Sequence, residues 1–134
     1  MALKKEIQSI NGVTSNYHRI ISVNFDMLNN KAVVYIAHYI NKDIRDKEKE
    51  IAKAEKEANG CYELLNNYNL TSNQREAYIS KLDKLNKILA NKINGEYYVD
   101  LSEVELENIK NLTNINYIYE RLKDLEIYSG AQEV

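Results

Sequence analysis

Histidine and cysteine are the residue types in this sequence best suited to act as nucleophiles, general bases or metal ligands, and they are few. The chain contains two histidines, His18 and His38, and one cysteine, Cys61. Both histidines lie in segments that read as paired strands. A two-histidine metal site also needs acids or a cysteine on the same face, and here the set of ligands is sparse. We therefore predict no catalytic residue, no metal site and no cofactor.

Cys61 falls on the apolar seam of a predicted helix, where a small buried hydrophobic residue is expected rather than a nucleophile. A single cysteine also excludes an internal disulfide and a cysteine-rich zinc site. The glycines stand alone at positions 12, 60, 95 and 130, so no glycine-rich phosphate loop is possible. These observations predict a protein that is not an enzyme.

Length and composition are those of one globular domain covering residues 1–134, with 44% hydrophobic and 28% charged residues. The net charge of −2 provides no basic field, so no nucleic acid partner is expected. No apolar run approaches the ~20 residues that a membrane span requires, so no membrane partner is expected either. The first ten residues lack the apolar centre of a signal peptide, which predicts assembly in a cytoplasm.

A β-hairpin over residues 17–41 is the element around which the chain is organised. Two runs rich in β-branched and aromatic residues flank Leu28-Asn29-Asn30, where asparagine favours a turn. Asn11-Gly12 predicts a turn after a first strand, which gives an antiparallel meander over residues 3–41. Alternation predicts one shared face, although a change of loop length would exchange the faces. The members of that predicted face are Tyr17, Ile21, Val23, Phe25 and Met27.

From residue 42 the period changes to alternating steps of three and four, which is typical of a helical seam. Thr71 and Gln74 have the spacing of a capping box that begins a second helix. We predict an antiparallel helical hairpin over residues 42–94, with each arm on the order of 30 Å long at ~1.5 Å per residue. The two rows that form its seam are Ile44, Lys47, Ile51, Ala54, Ala58, Cys61 and Leu65 in the first helix, and Tyr78, Leu82, Leu85, Leu89 and Ile93 in the second.

The C-terminal part predicts one short strand over residues 96–101, followed by a helical region over 102–129. Ser102 and Glu105 have the form of another capping box, and Thr113 is a candidate cap after a break at 111–114. Residues 131–134 are expected to be a tail. The predicted fold class is therefore α+β: a small antiparallel β-meander of three or four strands, an inserted antiparallel helical hairpin, and one or more C-terminal helices.

Four residues are candidates for an interface with another protein. Tyr35 and Tyr39 lie on the sheet, where tyrosine serves either the core or a protein surface, and both interpretations stay open. Ile79 and Ile88 fall off the leucine row of the second helix and are available to a partner. Lysines in this hairpin are matched by acids, which favours a solvated face.

Two stretches resemble a group of small structural proteins of phages and prophages from Gram-positive hosts. Residues 11–49 contain the pattern NG-V-x-x-NYHRI and then Tyr39, Asn41 and Arg45 in a Tyr-x-Asn-x-x-x-Arg segment. Residues 115–134, INYIYERLKDLEIYSGAQEV, resemble the closing amphipathic helix and Ala-x-x-Val tail of that group, here with Ala131 and Val134. Shorter members cross the region of the helical hairpin with a brief loop.

The resemblance implies a virion component of the phage tail or baseplate region that is not an enzyme. Its expected partners are other phage tail or baseplate proteins and further copies of itself, as a homo-oligomer. A second hypothesis is a soluble tail or fibre assembly chaperone, which uses the coiled-coil hairpin to hold partner proteins and leaves before the particle matures.

Overall fold

The computed structural model describes residues 1–9, 11–67, 69–92, 95–109 and 114–134. The chain divides into two compact units. We call the first, Met1–Ile44 with Tyr97–Val134, the sheet unit, and the second, Arg45–Glu96, the helical unit. The α+β fold class with its meander is confirmed, while the single domain expected from chain length stays a prediction.

Within the described ranges, five antiparallel strands form a sheet in the order β4-β3-β2-β1-β5. Three of them, β1, β2 and β3, make the predicted meander, and β3 lies inside the sheet as its two-sided apolar sequence indicated. The strands are β1 (Leu3–Gln8), β2 (Thr14–Asp26), β3 (Lys31–Tyr39), β4 (Asp100–Leu106) and β5 (Gln132–Glu133).

A β-bulge at Ile21 makes the predicted face of β2 wrong. Ile20 pairs with Ile36 but Ser22 pairs with Tyr35, so β2 has one extra residue between them. Tyr17, before the bulge, packs with Tyr39 on one side of the sheet. After the bulge Val23 and Phe25 pack into the main core, as Ile20 does. Ile21 itself is exposed.

The predicted helix start at Ser102 is also wrong, because residues 100–106 form β4. The segment alternates between exposed and more buried residues, and it pairs with β3 from Ala32 opposite Leu106 to His38 opposite Asp100. Ser102 and Glu105 match a capping box locally, but the non-local ladder with β3 pairs the backbone groups of this segment that face β3.

The C-terminal residues differ from the prediction in two further respects. Helix α3 (Ile115–Lys123) begins at the cap Asn114, whose side chain accepts from the Asn116 N–H at 3.0 Å; Thr113 lies outside the described residues. The expected tail forms β5, which pairs with β1 while Ala2 and Val134 exchange two backbone hydrogen bonds of 2.9 Å. A short 3-10 turn, Glu126–Tyr128, lies between α3 and β5.

The main core of the sheet unit lies between one face of the sheet and the C-terminal helical segments. Arginine and lysine in the last turn of α3 are favourable there because the helix dipole is negative at that end. The fully buried side chains of this core include Leu3, Val34, Ile36, Ile109, Ile118, Leu122 and Tyr128.

Helices α1 (Lys42–Leu65) and α2 (Ser72–Leu89) form the predicted antiparallel hairpin, and the helical unit contains α2 and the part of α1 from Arg45 onward. Arg75 Nη1 donates to the Leu65 carbonyl at 3.1 Å near the connection, while Lys92 pairs with Glu55 farther along. The capping box of Thr71 and Gln74 is confirmed in both directions. Ile93 and Asn94, the predicted end of the hairpin, lie outside the described residues. The buried seam is Ala54, Ala58, Cys61, Leu82 and Leu85, with Leu65, Tyr78, Ile88 and Leu89 partly buried against it.

Candidate functional site

His18 and His38 face each other directly on β2 and β3. Their Nδ1 atoms are 2.8 Å apart, and both residues are buried. A contact this short between two ring nitrogens requires one proton between them, so one ring donates and the other accepts. The expectation that the two histidines lie on paired strands is therefore confirmed.

The direction of this hydrogen bond follows from the other two partners. His18 Nε2 lies 2.6 Å from the Lys5 carbonyl, which only accepts, so His18 carries its proton on Nε2. Neutral His18 then accepts at Nδ1 from the His38 Nδ1–H. His38 Nε2 is left to accept from the Ser102 hydroxyl at 2.6 Å. A row of hydrogen bonds thus runs from β4 through β3 and β2 to β1, and we call it the histidine row.

A second irregularity of the sheet places the Lys5 carbonyl in this row. Lys4 pairs with Tyr17 and Ile7 pairs with Ser15, so β1 carries one extra residue between Lys4 and Ile7. Extra residues in a strand redirect backbone groups away from the regular ladder. The same stretch is tied to the C-terminal segment, because Lys5 Nζ donates to the Ser129 carbonyl at 2.8 Å.

Tyr128 covers the histidine row. Its ring stacks on His38 at 6.5 Å with an interplanar angle of 10°, and it meets His18 edge to face at 6.0 Å. Its hydroxyl is buried and has no hydrogen-bond partner among the described residues. Burial, with a smaller effect of Asp100, raises the pKa of Tyr128 to about 12, so the phenol is neutral.

Both imidazoles are neutral at pH 7. Burial, together with the neighbouring His18, lowers the pKa of His38 to about 4, while Asp100 acts in the opposite direction. Burial also lowers the pKa of His18, although the hydrogen bond to the Lys5 carbonyl opposes that effect. Neutral rings suit the directed chain of donors and acceptors, because each ring nitrogen then has one role.

A surface cavity of about 210 Å³ reaches the Ser102 end of the histidine row. A serine hydroxyl bonded to an imidazole is the arrangement from which a nucleophile is built. His38, with its pKa lowered to about 4, is however a weak base for that role, and the Ser102 proton serves the row. The residues that line the cavity are Ile7, Gln8, Ser9, Ser15, His38, Asp100, Ser102 and Ile127.

The other chemistry-bearing residues do not join this row. Cys61 is buried in the seam of the helical unit, as predicted. Within the described residues, no three side chains of histidine, cysteine, aspartate or glutamate come together as a group able to hold a metal ion. The histidine row itself connects β4, β3, β2 and β1, and such a row of directed hydrogen bonds fixes the register of four strands.

The four predicted interface residues have different surroundings. Tyr39 is 1% exposed and packs against Tyr17 and Tyr98 inside the sheet unit, so its prediction as an interface residue is wrong. Tyr35 is half-buried on the sheet, and Ile88 is half-buried against the helical seam. Ile79 is 47% exposed on α2 and is accessible to a partner.

Among the described residues, the most exposed large apolar side chains lie instead at the tip of the β2–β3 hairpin, where the sequence predicted Met27 on the shared face of β2 and Leu28 in the turn. Met27 is 79% and Leu28 94% exposed. The Asp26 carboxylate orders this tip, because it accepts from the Leu28 N–H at 3.0 Å and from the Asn29 side-chain amide at 2.7 Å. Asn30, with φ of 52°, completes the turn. The signal in the sequence was Leu28, an apolar residue within a turn, where polar residues are usual.

Comparison with protein-family models, with curated protein sequences and with solved structures finds no match to this chain. None of the described helices combines the length and the apolar character that crossing a membrane requires. Function is therefore inferred from the surfaces and contacts of the chain itself, together with the resemblance in residues 11–49 and 115–134.

Proposed function

We propose that this chain is a non-enzymatic structural component of a phage tail or baseplate. It assembles with other tail proteins, and with copies of itself, through its sheet and its helical hairpin. The host cytoplasm is its site of assembly and the virion is its final location. The phage context of this proposal comes from the resemblance in residues 11–49 and 115–134.

The observation that carries the proposal is the apolar tip of the β2–β3 hairpin, formed by Met27 and Leu28. Two large apolar side chains side by side in water are unfavourable unless a partner covers them, since burying each contributes about 1.5–3 kcal/mol. The Asp26 hydrogen bonds hold the turn in one conformation, which reduces the entropy lost on binding. An ordered apolar tip fits a pocket on a neighbouring protein.

Residues of the resemblance motifs hold the fold together, which supports a shared fold within that group of phage proteins. His18 is part of the histidine row, and Ala131 is buried beside the core of the sheet unit. Asn41 accepts from the Ile44 N–H at 3.0 Å, which caps the start of α1. Val134 pairs with Ala2 through backbone hydrogen bonds.

The proposal is tested by changing the tip and measuring capture of tail proteins encoded by the neighbouring reading frames. Met27→Ser with Leu28→Ser should weaken capture at least about tenfold, because it removes the apolar contact. Asn24→Ser, at an exposed position of β2 near the tip, is the control. Capture that is unchanged in the double variant, or absent with the unaltered chain, would overturn the proposal.

The chaperone alternative is favoured by one feature, the compact helical unit with exposed Tyr62, Leu64 and Ile79. Mass spectrometry of purified particles separates the two functions. A structural component stays in the particle at fixed stoichiometry, whereas a chaperone is present in lysates during assembly and absent from mature particles.

A further inference from the structure

The outer side of β4 is the most accessible sheet edge in the sheet unit. β4 is seven residues long and pairs with β3 only, so no strand covers its other side within the described part of the chain. In an antiparallel pair alternate N–H and C=O groups point away from the neighbouring strand, and at an edge they are open to another chain.

The opposite edge of the sheet is protected. β5 pairs with Leu3 and Lys4 of β1, and the extra residue that follows Lys4 interrupts the regular edge. Lys5 Nζ also binds the Ser129 carbonyl across this edge. The two edges therefore differ: the edge on the β1 side is covered, whereas the outer backbone of β4 is not covered by a described strand.

The side chains of β4 select the partner. Glu103 and Glu105 are exposed and alternate along one face, with the exposed Leu101 beside them. Pairing of β4 with its own copy in an antiparallel register centred on Glu103 brings like charges together, which is destabilising. The edge therefore disfavours a second copy and favours an extended segment with lysine or arginine at alternate positions.

A lysine on the strand next to β4 already makes this kind of ion pair with the acidic side chains. Lys31 on β3 is the cross-strand neighbour of this acidic face, and its Nζ lies 3.4 Å from Glu105 Oε1 and 3.6 Å from Glu107 Oε1. Glu103 stands opposite the uncharged Tyr35. A strand on the outer side of β4 would place its alternate side chains at the same cross-strand spacing from Glu103 and Glu105.

We propose that β4 binds an extended basic segment of a partner protein by β-strand addition. Backbone hydrogen bonds supply the attachment, and alternate lysines or arginines facing Glu103 and Glu105 supply the selectivity. This inference rests on the proposed function, since it names the kind of partner that an assembly component would take at this edge.

The test uses the full chain and a labelled synthetic peptide of about nine residues that alternates lysine and valine. Fluorescence anisotropy measures its dissociation constant, and amide hydrogen exchange reports slower exchange in β4 on binding. The same peptide with N-methylated alternate amides keeps its charge but loses one hydrogen-bonding side. Binding of the N-methylated peptide should be at least about tenfold weaker.

Glu103→Lys with Glu105→Lys should also weaken binding at least about tenfold, since attraction becomes repulsion. Glu63→Lys with Glu76→Lys makes the same change of net charge at exposed positions of the helical unit and should change affinity less than about twofold. Circular dichroism checks that both double variants remain folded.

Equal binding of the normal and N-methylated peptides, equal loss in both double variants, or no binding up to about 1 mM peptide would overturn strand addition at β4. These outcomes do not depend on the Met27 and Leu28 tip. If tail proteins are captured through the tip while the peptide fails, the edge inference falls and the proposed function stands. If capture through the tip fails while the peptide binds β4, the proposed function falls and the edge remains a peptide-binding site without an assigned assembly.

Discussion

The sheet unit and the helical unit achieve a defined structure by different means. The seam of the helical unit is specified by side-chain size, with Ala54 and Ala58 opposite Leu82 and Leu85 at helical spacing. The sheet unit adds a buried polar row, in which each donor must meet one acceptor across four strands. An apolar seam tolerates replacement by apolar residues of similar size. The histidine row does not tolerate replacement of one member, because a buried polar group left without a hydrogen bond costs about 1–3 kcal/mol.

The largest expected loss of stability comes from disrupting the seam of the helical unit. Leu85→Asp buries an unpaired charge in the seam and should destabilise the unit by about 3–5 kcal/mol. Hydrogen exchange should show loss of protection in α1 and α2 while β3 stays protected. Lys84→Asp at the exposed neighbouring position is the control. Loss of protection throughout the chain would show that the units are not separable.

Breaking the polar row should destabilise the sheet unit and leave the helical unit unchanged. His38→Leu leaves the Ser102 hydroxyl and His18 Nδ1 without a partner, at an expected cost of about 3 kcal/mol. Urea unfolding followed by NMR signals of β3 and α2 measures each unit. Adding His18→Leu should cost less in this background than alone, with a coupling of about 1 kcal/mol or more. Additive losses would contradict the shared hydrogen bond.

Acid should affect the two units differently, because both histidines belong to the sheet unit. The folded pKa of His38, about 4, lies below its ordinary value of 6.5, so the unfolded chain binds the proton first. Stability is therefore lost as the pH falls from about 7 towards 4, by about 2 kcal/mol between pH 7 and 5. His18 acts in the same direction.

The histidines are the groups expected to carry this loss, and the charged or titratable residues around them are Lys5 on β1, Asp100 on β4 and Tyr128 in the 3-10 turn. Urea unfolding at each pH measures the effect, with α2 as the internal reference. The double variant His18→Leu, His38→Leu should have a flatter profile. An equal pH slope in both units would refute this account.

The smallest expected changes in stability come from replacing one glycine by alanine in each unit. Gly60 lies inside α1 with open space where a methyl group would be added, so Gly60→Ala should stabilise the helical unit by about 0.5–1 kcal/mol. Gly12 has a φ of +83°, so Gly12→Ala should destabilise the sheet unit by about 1 kcal/mol. Thermal unfolding measures both, and effects of the same sign would contradict the assignment.

Local patterns made the helical hairpin predictable from the sequence, and non-local pairing explains what was missed. The capping box of Thr71 and the seam from Ala54 to Leu89 involve residues near one another along the chain, and both are confirmed. The predicted first residue of the seam, Ile44, packs instead against the cluster of Tyr17 and Tyr39 in the sheet unit. β4 was mistaken for a helix because Ser102 and Glu105 match a local cap, while the decisive partner, β3, lies more than sixty residues earlier, as for His38 and Ser102 with a separation of 64.

The candidate site residues also divide into those that local sequence patterns predict and those whose environment depends on distant residues. Pairing of the two histidine-bearing strands followed from the hairpin, but their direct contact depends on register, which alternation alone leaves open. The burial of Tyr39 depends on Tyr98, a residue from a distant part of the chain. The exposure of Leu28 agrees with its predicted place in the turn, whereas the prediction of Met27 on the shared face is wrong because β2 ends at Asp26.

The extra residue Ile21 lets two stretches of β2 with opposite alternation face the same core. Ile20 lies on the core face before the bulge, and Val23 and Phe25 lie on that face after it. Deleting Ile21 would make Ser22 follow Ile20 directly, and because their partners Tyr35 and Ile36 are already consecutive, the ladder would become regular without rotating either half. A strand that carries a bulge can therefore lose one residue and keep its inward side chains, as a surface loop can.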